Sequence, residues 1–403
     1  MRGEAVAKKE RVLLLQWDGS AYDSLRGLLR LAGTELGAEG YEVHTVVIQQ
    51  QHGWQEKLNA ILAGGGILFA LGMSGVGSDI YTEDKRLLWE ATKIPFFNWS
   101  CDHPCYFPSR HAIRSHFLLH GYVFPDHARY AMRHFNANGA AFFVHMGIPP
   151  RRIFQDAPLP SQARNGRIIF SKSGADTNSI EARWRDFAAP LRDIMFAAAE
   201  ELYHRSTADF VAVLQRLAES HGLLLDGNSE LTLTLIREVD AYIRFRRARQ
   251  LLEAVLPYPV DVYGTGWDQV NWNRGAASFK GKADWNQMTT LLPSYLGCLS
   301  INPLIDESVH DRSFFALAAN VVPVADSNGF SRQHMPDLER YAFRFDPQSI
   351  GAAIEALLAE PQAALERTES TWRKLEPGFS MRQSLLQITA CARMVAVNAR
   401  CAA

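Results

Sequence analysis

The sequence predicts an α/β protein with two doubly wound, parallel-sheet halves. Three observations carry that prediction. Short apolar or β-branched runs alternate with segments of helical period, the pattern of consecutive βαβ units. A proline-rich stretch over 149–167 interrupts the alternation, which then resumes. The 403 residues exceed one ordinary domain of roughly 150, and 47% hydrophobic with 21% charged residues is enough for large cores.

The elements follow in order. Residues 11–16 (RVLLLQ) are a continuous apolar run, as in a strand buried on both faces. Leu25, Leu28, Leu29 and Leu36 fall at helical spacing within 22–36. Residues 41–48 (YEVHTVVI) read as a second strand, 54–62 as a short helix and 66–71 (GILFAL) as a third strand. The glycines of GMSGVGSD predict a flexible loop after it. A helix over 83–91, a strand over 94–99 (IPFFNW), a short strand over 122–124, a helix over 126–135 and a strand over 141–145 (AFFVH) complete a Rossmann-like half.

Pro149, Pro150, Pro158 and Pro160 exclude a helix or central strand from 149–167, which reads as an interdomain linker. Residues 167–170 (RIIF) start a second sheet. Long helical stretches over 178–221 and 230–255 are inserted after it, the second with Leu231, Leu235, Ile236, Val239, Ile243 and Phe245 along one face. Strands are then expected over 259–263, 278–280, 298–301, 321–325 and 342–345, and helices over 287–292, 314–319, 349–358 and 362–375. An amphipathic helix over 380–396, with Leu385, Leu386, Ile388, Met394 and Val395 apolar, closes the chain. The expected domains are 1–155, 165–378 with a helical insertion about 178–255, and 379–403.

Composition narrows the function. Lys and Arg number 42 against 43 Asp and Glu, a formal net charge of −1, which argues against broad nucleic-acid binding. No apolar run approaches the roughly 18 residues of a spanning helix, and the start of the chain leads into a strand rather than a signal peptide. The five cysteines (101, 105, 298, 391, 401) are scattered and odd in number, so no disulfide framework is expected. A cytoplasmic protein is expected, with peripheral membrane attachment and self-association left open. Cys101, His103 and Cys105 lie close in CDHPC, but no second pair stands at zinc spacing, so no metal is expected there.

In open parallel sheets, ligands sit beyond the carboxyl ends of the strands. DVYGTGWD puts Gly264 and Gly266 directly after a strand, where glycine permits positive φ and close backbone approach. SFKGK ends a short strand at Gly281 and Lys282. SINPLIDESVHDRSFFALAANVVPVADSNGF gives a strand end at Asn302, a polar loop and a helix starting near His310, Asp311 and Arg312. The amino end of that helix is suited to an anion, and the Arg312 guanidinium to a phosphate. SKSG offers Lys172 to the same group. In the first half, Asp18 follows the first strand, Asp79 the third, and Asp102 and His103 the fourth; His127 and His145 also stand at element ends. A carboxylate or histidine there is the residue type an acceptor hydroxyl needs in order to lose its proton.

The ordered series Tyr263, Gly264 and Trp267; Gly281; Asn302 and Pro303; then Arg312, Phe314, Ala316, Leu317 and Ala318 resembles the C-terminal domain of GT-B glycosyltransferases of the CgeB-like (spore-maturation-protein-like) branch. The resemblance covers about 65 residues, and NWSCDHP in the first half is similar to the same branch. It implies the GT-B fold: two Rossmann-like domains facing each other across a cleft, with a C-terminal helix crossing back. It further implies transfer of a sugar from a nucleotide-diphosphate sugar to an acceptor hydroxyl; with no DxD beside a strand, the helix terminus is expected to neutralise the leaving diphosphate without a metal. Donor contacts would come from Gly264, Thr265, Trp267, Gly281, Lys282, Asn302, His310, Asp311, Arg312, Ser313 and Lys172, with the base near Gly281 and Lys282. Asp326 or Ser327 would face the sugar or acceptor. Asp102, His103 and Asp18 are the catalytic candidates. Two positions depart from the family: Phe315 replaces a Glu that contacts donor hydroxyls, and Asn320 replaces Gly. Glu307 and Asp311 stand nearby as substitutes. A non-catalytic relative that binds a sugar nucleotide or a partner protein is the alternative, and a two-domain epimerase a third reading. Donor, acceptor and stereochemical outcome stay open.

Overall fold

The computed structural model describes residues 9–19, 22–49, 53–135, 141–154 and 159–401. The chain divides into two compact units: unit 1 is Met1–Met146 with Met381–Ala403, and unit 2 is Gly147–Ser380. The expected boundary at residue 155 and Pro158 of the linker lie outside the described residues.

Unit 1 runs β1 (Arg11–Trp17), α1 (Ser24–Ala38), β2 (Glu42–Ile48), α2 (Trp54–Ala63), β3 (Ile67–Met73), α3 (Leu88–Thr92), β4 (Phe96–Ser100), α4 (Pro108–His111), β5 (Leu118–Tyr122), α5 (Pro125–His134) and β6 (Ala141–Phe143). All pairings are parallel, in the order β2-β1-β3-β4-β5-β6. The apolar runs of β1 and β4 are buried throughout because helices cover both faces, while edge strand β2 is mostly half-exposed. Leu13, Leu15, Ala70, Trp89 and Phe96 form the core on one side.

Unit 2 holds β7 (Ile168–Ser171), helices α6 (Thr177–Trp184), α7 (Ala189–Tyr203), α8 (Phe210–Ser220) and α9 (Glu230–Val255), then β8 (Val260–Tyr263), β9 (Ser278–Gly281), α10 (Trp285–Leu291), β10 (Gly297–Ser300), α11 (Asp311–Ala318), β11 (Val322–Ala325), α12 (Gly329–His334), α13 (Pro347–Ala359) and α14 (Pro361–Phe379). Its strands are all parallel, in the order β11-β10-β7-β8-β9. The last helix, α15 (Met381–Cys401), returns to unit 1, where Arg382 pairs with Glu39, Arg393 with Glu10, and Gln387 donates to the Phe143 carbonyl at 3.3 Å.

The differences from expectation have local causes. The helix expected over 83–91 shrinks to Leu88–Thr92, because Thr82, Asp84 and Arg86 close a hydrogen-bonded turn with Lys85 at φ 62. The stretch 178–221 breaks into three helices, α7 starting with Pro190 in its first turn. The strand expected over 122–124 is instead the end of β5, which starts at Leu118. Residues 342–345 contribute a single bridge, Asp326 to Phe343. On α9, Leu231 and Phe245 leave the buried face, and Arg247 lies within it.

The glycine-rich loop after β3, expected to be flexible, is packed. Trp89 Nε1 donates to the Gly77 carbonyl at 2.8 Å, Ser78 Oγ to Gly75 O at 2.8 Å and Arg110 Nη1 to Ser74 O at 2.7 Å. A Cβ on Gly72 would lie 2.1 Å from the Val76 carbonyl oxygen, so glycine serves compactness here.

Candidate functional site

Strand order locates the crevice in each unit. In unit 2 the order reverses between β7 and β10, and in unit 1 between β1 and β3. Ligands of open α/β sheets bind beyond the carboxyl ends at such a reversal. The unit 2 reversal is flanked by Lys172 after β7 and by the Asn302–His310 loop and α11 after β10.

At the amino end of α11, His310 is the N-cap in extended conformation. Its Nδ1 meets the Asp311 carboxylate and lies 3.4 Å from the Arg312 backbone N–H, and Arg312 Nη1 donates to its Nε2 at 3.0 Å. The Arg312 backbone N–H donates to Asp311 Oδ1 at 2.9 Å. Burial draws His310 down to about 4; Asp311 opposes that shift, while Arg312 and Lys172 add to it. Burial pushes the Asp311 carboxyl up, but His310 and Arg312 outweigh it and hold it well below the usual carboxylate range. His310 is therefore neutral at pH 7, and Arg312 and Lys172 stand against the one carboxylate of Asp311. The structure thus brings four of the sequence-derived donor residues into one charged cluster at the switch point.

Behind the cluster, Asn302 is buried and its polar groups are engaged. Its backbone N–H donates to Asp326 Oδ1 at 2.7 Å, its Nδ2 to the Asp326 carbonyl at 2.9 Å, and its Oδ1 accepts the His310 backbone N–H at 2.8 Å. Asp326 is buried too, and both residues line a small cavity. Burial raises Asp326 to about 6, with Arg247 and the Asn302 bonds pulling the other way. Ser313 is buried with its Oγ lacking a partner, beside a small cavity also lined by Asp326 and Glu339. Ser327 donates to Glu339 Oε2 at 2.8 Å.

The glycines after β8 act on the neighbouring loop. At Gly264 (φ 146) a Cβ would lie 2.4 Å from Lys172 O, and at Gly266 (φ 77) 2.3 Å from Gly174 O. Trp267 is buried, and its Nε1 donates to Lys172 O at 2.8 Å. Gly174 N–H donates to Thr265 O at 2.9 Å. Together these contacts fix the backbone that carries Lys172. Gly281 differs: it ends β9 at φ 78 with open space where a side chain would start, and Lys282 follows exposed.

The two departures from the family pattern have structural explanations. Phe315 packs edge-on against Phe154 and Trp285, with ring centroids 6.2 and 5.1 Å away. Asn320 adopts φ 52 just past the carboxyl end of α11, the left-handed position that glycine usually fills and asparagine tolerates. Glu307 is exposed.

In unit 1, Asp18 is exposed in the turn after β1, and the N-cap position of α1 belongs to Asp23, which pairs with Arg26 and Arg30. Asp79 is exposed. Asp102 is half-buried, 3.5 Å from Ser74 Oγ. His103 is buried; its Nδ1 accepts the Cys105 N–H at 3.2 Å, capping the turn Pro104–Tyr106, and its ring packs beside His127 and Tyr130.

Sequence reasoning missed a buried polar layer on one face of β4 and β5. The register sets Asn98 beside His120 and Ser100 beside Tyr122. Asn98 meets His120 Nδ1 at 3.2 Å, Ser100 donates to Asn98 Oδ1 at 3.0 Å, and Tyr122 contacts His111 Nδ1 at 2.8 Å. Burial lowers His111 to about 3 and His120 to about 4. The available signal was the alternation of polar residues in FFNWS and LLHGY, period 2 within otherwise apolar runs. Among the described residues there is no group of three or more His, Cys, Asp or Glu placed to hold a metal, and no helix is long and apolar enough to cross a membrane.

No family model matches the chain, and no curated protein matches it by sequence. Solved structures do match its fold. The sucrose-phosphate synthase (tll1590) from Thermosynechococcus elongatus is 11% identical over 97% of this chain and 100% of that one, with a TM-score of 0.54. An alpha-glucosyltransferase in complex with UDP and a 13-mer DNA containing a HMU base is 10% identical over 95% and 99%, with a TM-score of 0.53. An alpha-glucosyltransferase (AGT) in complex with UDP is 9% identical over 95% and 99%, at 0.52. At these identities the likeness concerns the fold: the chain has the α/β fold of GT-B glycosyltransferase structures, with two parallel sheets.

Proposed function

We propose that the protein transfers a sugar from a nucleotide-diphosphate sugar to an acceptor hydroxyl. The observation that carries this reading is the grouping of Lys172, His310, Asp311 and Arg312 at the unit 2 switch point. The diphosphate would be held by Arg312, Lys172 and the amino end of α11. Charge developing on the leaving phosphate is stabilised where fixed donors already point. In some transferases a metal ion meets that charge; here the two cations and the helix end take the part, so turnover is expected to survive EDTA. The open space at Gly281, with Lys282 beside it, suits the base. UDP is the first nucleotide to test, because two of the matching structures are complexes with UDP. The motif series, rather than overall likeness, favours the CgeB-like branch.

Unit 1 would supply the acceptor side. Asp102 is the favoured base, being half-buried and close to a hydroxyl, while His103 holds the turn that presents it. Asp18 remains a candidate at the unit 1 switch point. The test is calorimetric titration with UDP, followed by transfer assays with a panel of nucleotide sugars. Binding of UDP that weakens about thirtyfold in Arg312→Ala supports the reading; UDP affinity equal in both proteins refutes it.

One observation favours a second reading. Phe315 stands in an aromatic contact where the resembling family has a donor-contacting Glu. A non-catalytic relative would bind UDP yet neither transfer nor hydrolyse any nucleotide sugar in the panel.

A further inference from the structure

We infer that Asp326 is a positioning residue for the donor site, acting through Asn302 on the amino end of α11. The inference rests on the donor reading above. A carboxylate is costly to bury, yet Asp326 is buried at the carboxyl end of β11, and no salt bridge to it lies within 4 Å among the described residues. Its hydrogen bonds run toward the site. Asp326 Oδ1 accepts the Asn302 N–H at 2.7 Å, and Asn302 Nδ2 returns a bond to the Asp326 carbonyl at 2.9 Å. Asn302 Oδ1 then accepts the His310 N–H at 2.8 Å, and His310 contacts Arg312 Nη1 at 3.0 Å. The chain Asp326, Asn302, His310, Arg312 thus joins the ends of β10 and β11 to the guanidinium proposed to meet the phosphate.

The loop after β10 needs such a tie. It spans residues 301–310 without regular structure, so little in its own backbone fixes where α11 begins. Asn328 Nδ2 holds the middle of the loop through the Ile305 and Ser308 carbonyls at 3.1 and 2.7 Å, and the paired bonds between Asn302 and Asp326 fix its first part, from which Asn302 reaches His310. Asp326 touches no ligand on this account; it acts by holding Asn302 in place.

The test uses the full chain and UDP as probe. Asp326→Ala is expected to weaken UDP binding about tenfold, the change that loss of one buried hydrogen bond represents. Asp326→Asn keeps an Oδ1 acceptor for the Asn302 N–H and is expected to stay within about threefold of wild type. Ile354→Ala, a buried core truncation in α13 of the same unit, is the stability control: it lowers the melting temperature and leaves UDP affinity unchanged. The inference is overturned if Asp326→Ala weakens UDP no more than Ile354→Ala does, or if Asp326→Asn is as weak as Asp326→Ala. If Asp326→Ala does not fold, Asn302→Ser cuts the same chain at its middle and should show the same tenfold loss; wild-type affinity in that variant equally overturns it. Arg312→Ala run in parallel separates the two claims: unchanged UDP affinity there sinks the donor reading itself.

Discussion

The carboxyl ends of the two sheets are built alike and equipped differently. In unit 1 the strand order reverses beside a packed, glycine-rich loop, and the nearby polar groups of β4 and β5 form a neutral layer sunk in the core. In unit 2 the order reverses beside Lys172 and Arg312, with Asp311 held ionised between them and His310. Strand order decides where a crevice opens, and a few side chains on the following loops decide what it can attract. On the proposed reading, the charged cluster of unit 2 is where a polyanion would bind.

The largest expected effect tests how far unit 2 tolerates charge away from its crevice. Phe315→Glu would put a carboxylate among Phe154 and Trp285 and should cost about 4 kcal/mol, from lost aromatic packing and burial of a charge. Chemical denaturation reads it; a stable variant that binds UDP more tightly would mean this face of α11 is part of the donor site after all.

Acid should separate the units next. His111 and His120 are lowered by burial to about 3 and about 4. Their stabilising contribution is fully present above the unfolded value near 6.5 and is lost as pH falls toward those folded values. At pH 5 each loss is roughly 2 kcal/mol. In unit 2, His310, lowered by burial to about 4, loses in the same direction, but Asp326 runs the other way and offsets part of that loss: raised to about 6, its contribution is present at low pH and lost as pH rises through that value. With two such histidines in unit 1 and one, partly offset, in unit 2, hydrogen exchange at pH 5 against pH 7 should show β4 and β5 losing more protection than β10 and β11. Equal loss in both sheets would erase the contrast.

Arg312→Ala should reduce UDP affinity by about 2 kcal/mol, or some thirtyfold, typical of a hydrogen bond to a charged group. Asp102→Ala and Asp18→Ala should leave UDP affinity unchanged, and calorimetry on all three reads the comparison directly. The smallest effect is at Asn320, where Asn320→Gly should alter stability by only a few tenths of a kcal/mol while Asn320→Ala costs about 1 kcal/mol, because only the left-handed conformation is at issue. Thermal melts of the pair suffice.

What could be read in advance followed from strong, local signals. The apolar runs of β1, β4 and β10 and the ordered motifs of unit 2 marked strands and a helix start that the structure contains. The role of a glycine was less legible. Gly264 and Gly266 suggest close approach of a backbone, but the partner is the Lys172 loop, which composition alone does not reveal. The loop after β3 misled for the same reason, since positive φ at Gly75 and Gly77 serves either mobility or tight packing. Buried polar residues were hidden most completely: Asn98 and His120 become partners only through register between strands more than 20 residues apart.

The chain passes from unit 1 to unit 2 after Met146 and back after Ser380, and the two passages are tied together where the Ile148 N–H donates to the Phe379 carbonyl at 2.7 Å. Unit 2 is therefore an insertion whose two ends lie side by side. Domains with neighbouring termini lend themselves to excision and circular permutation. Residues 147–380 produced as a separate polypeptide, with α15 left behind on its own unit, would be a direct way to ask for nucleotide recognition by one lobe alone.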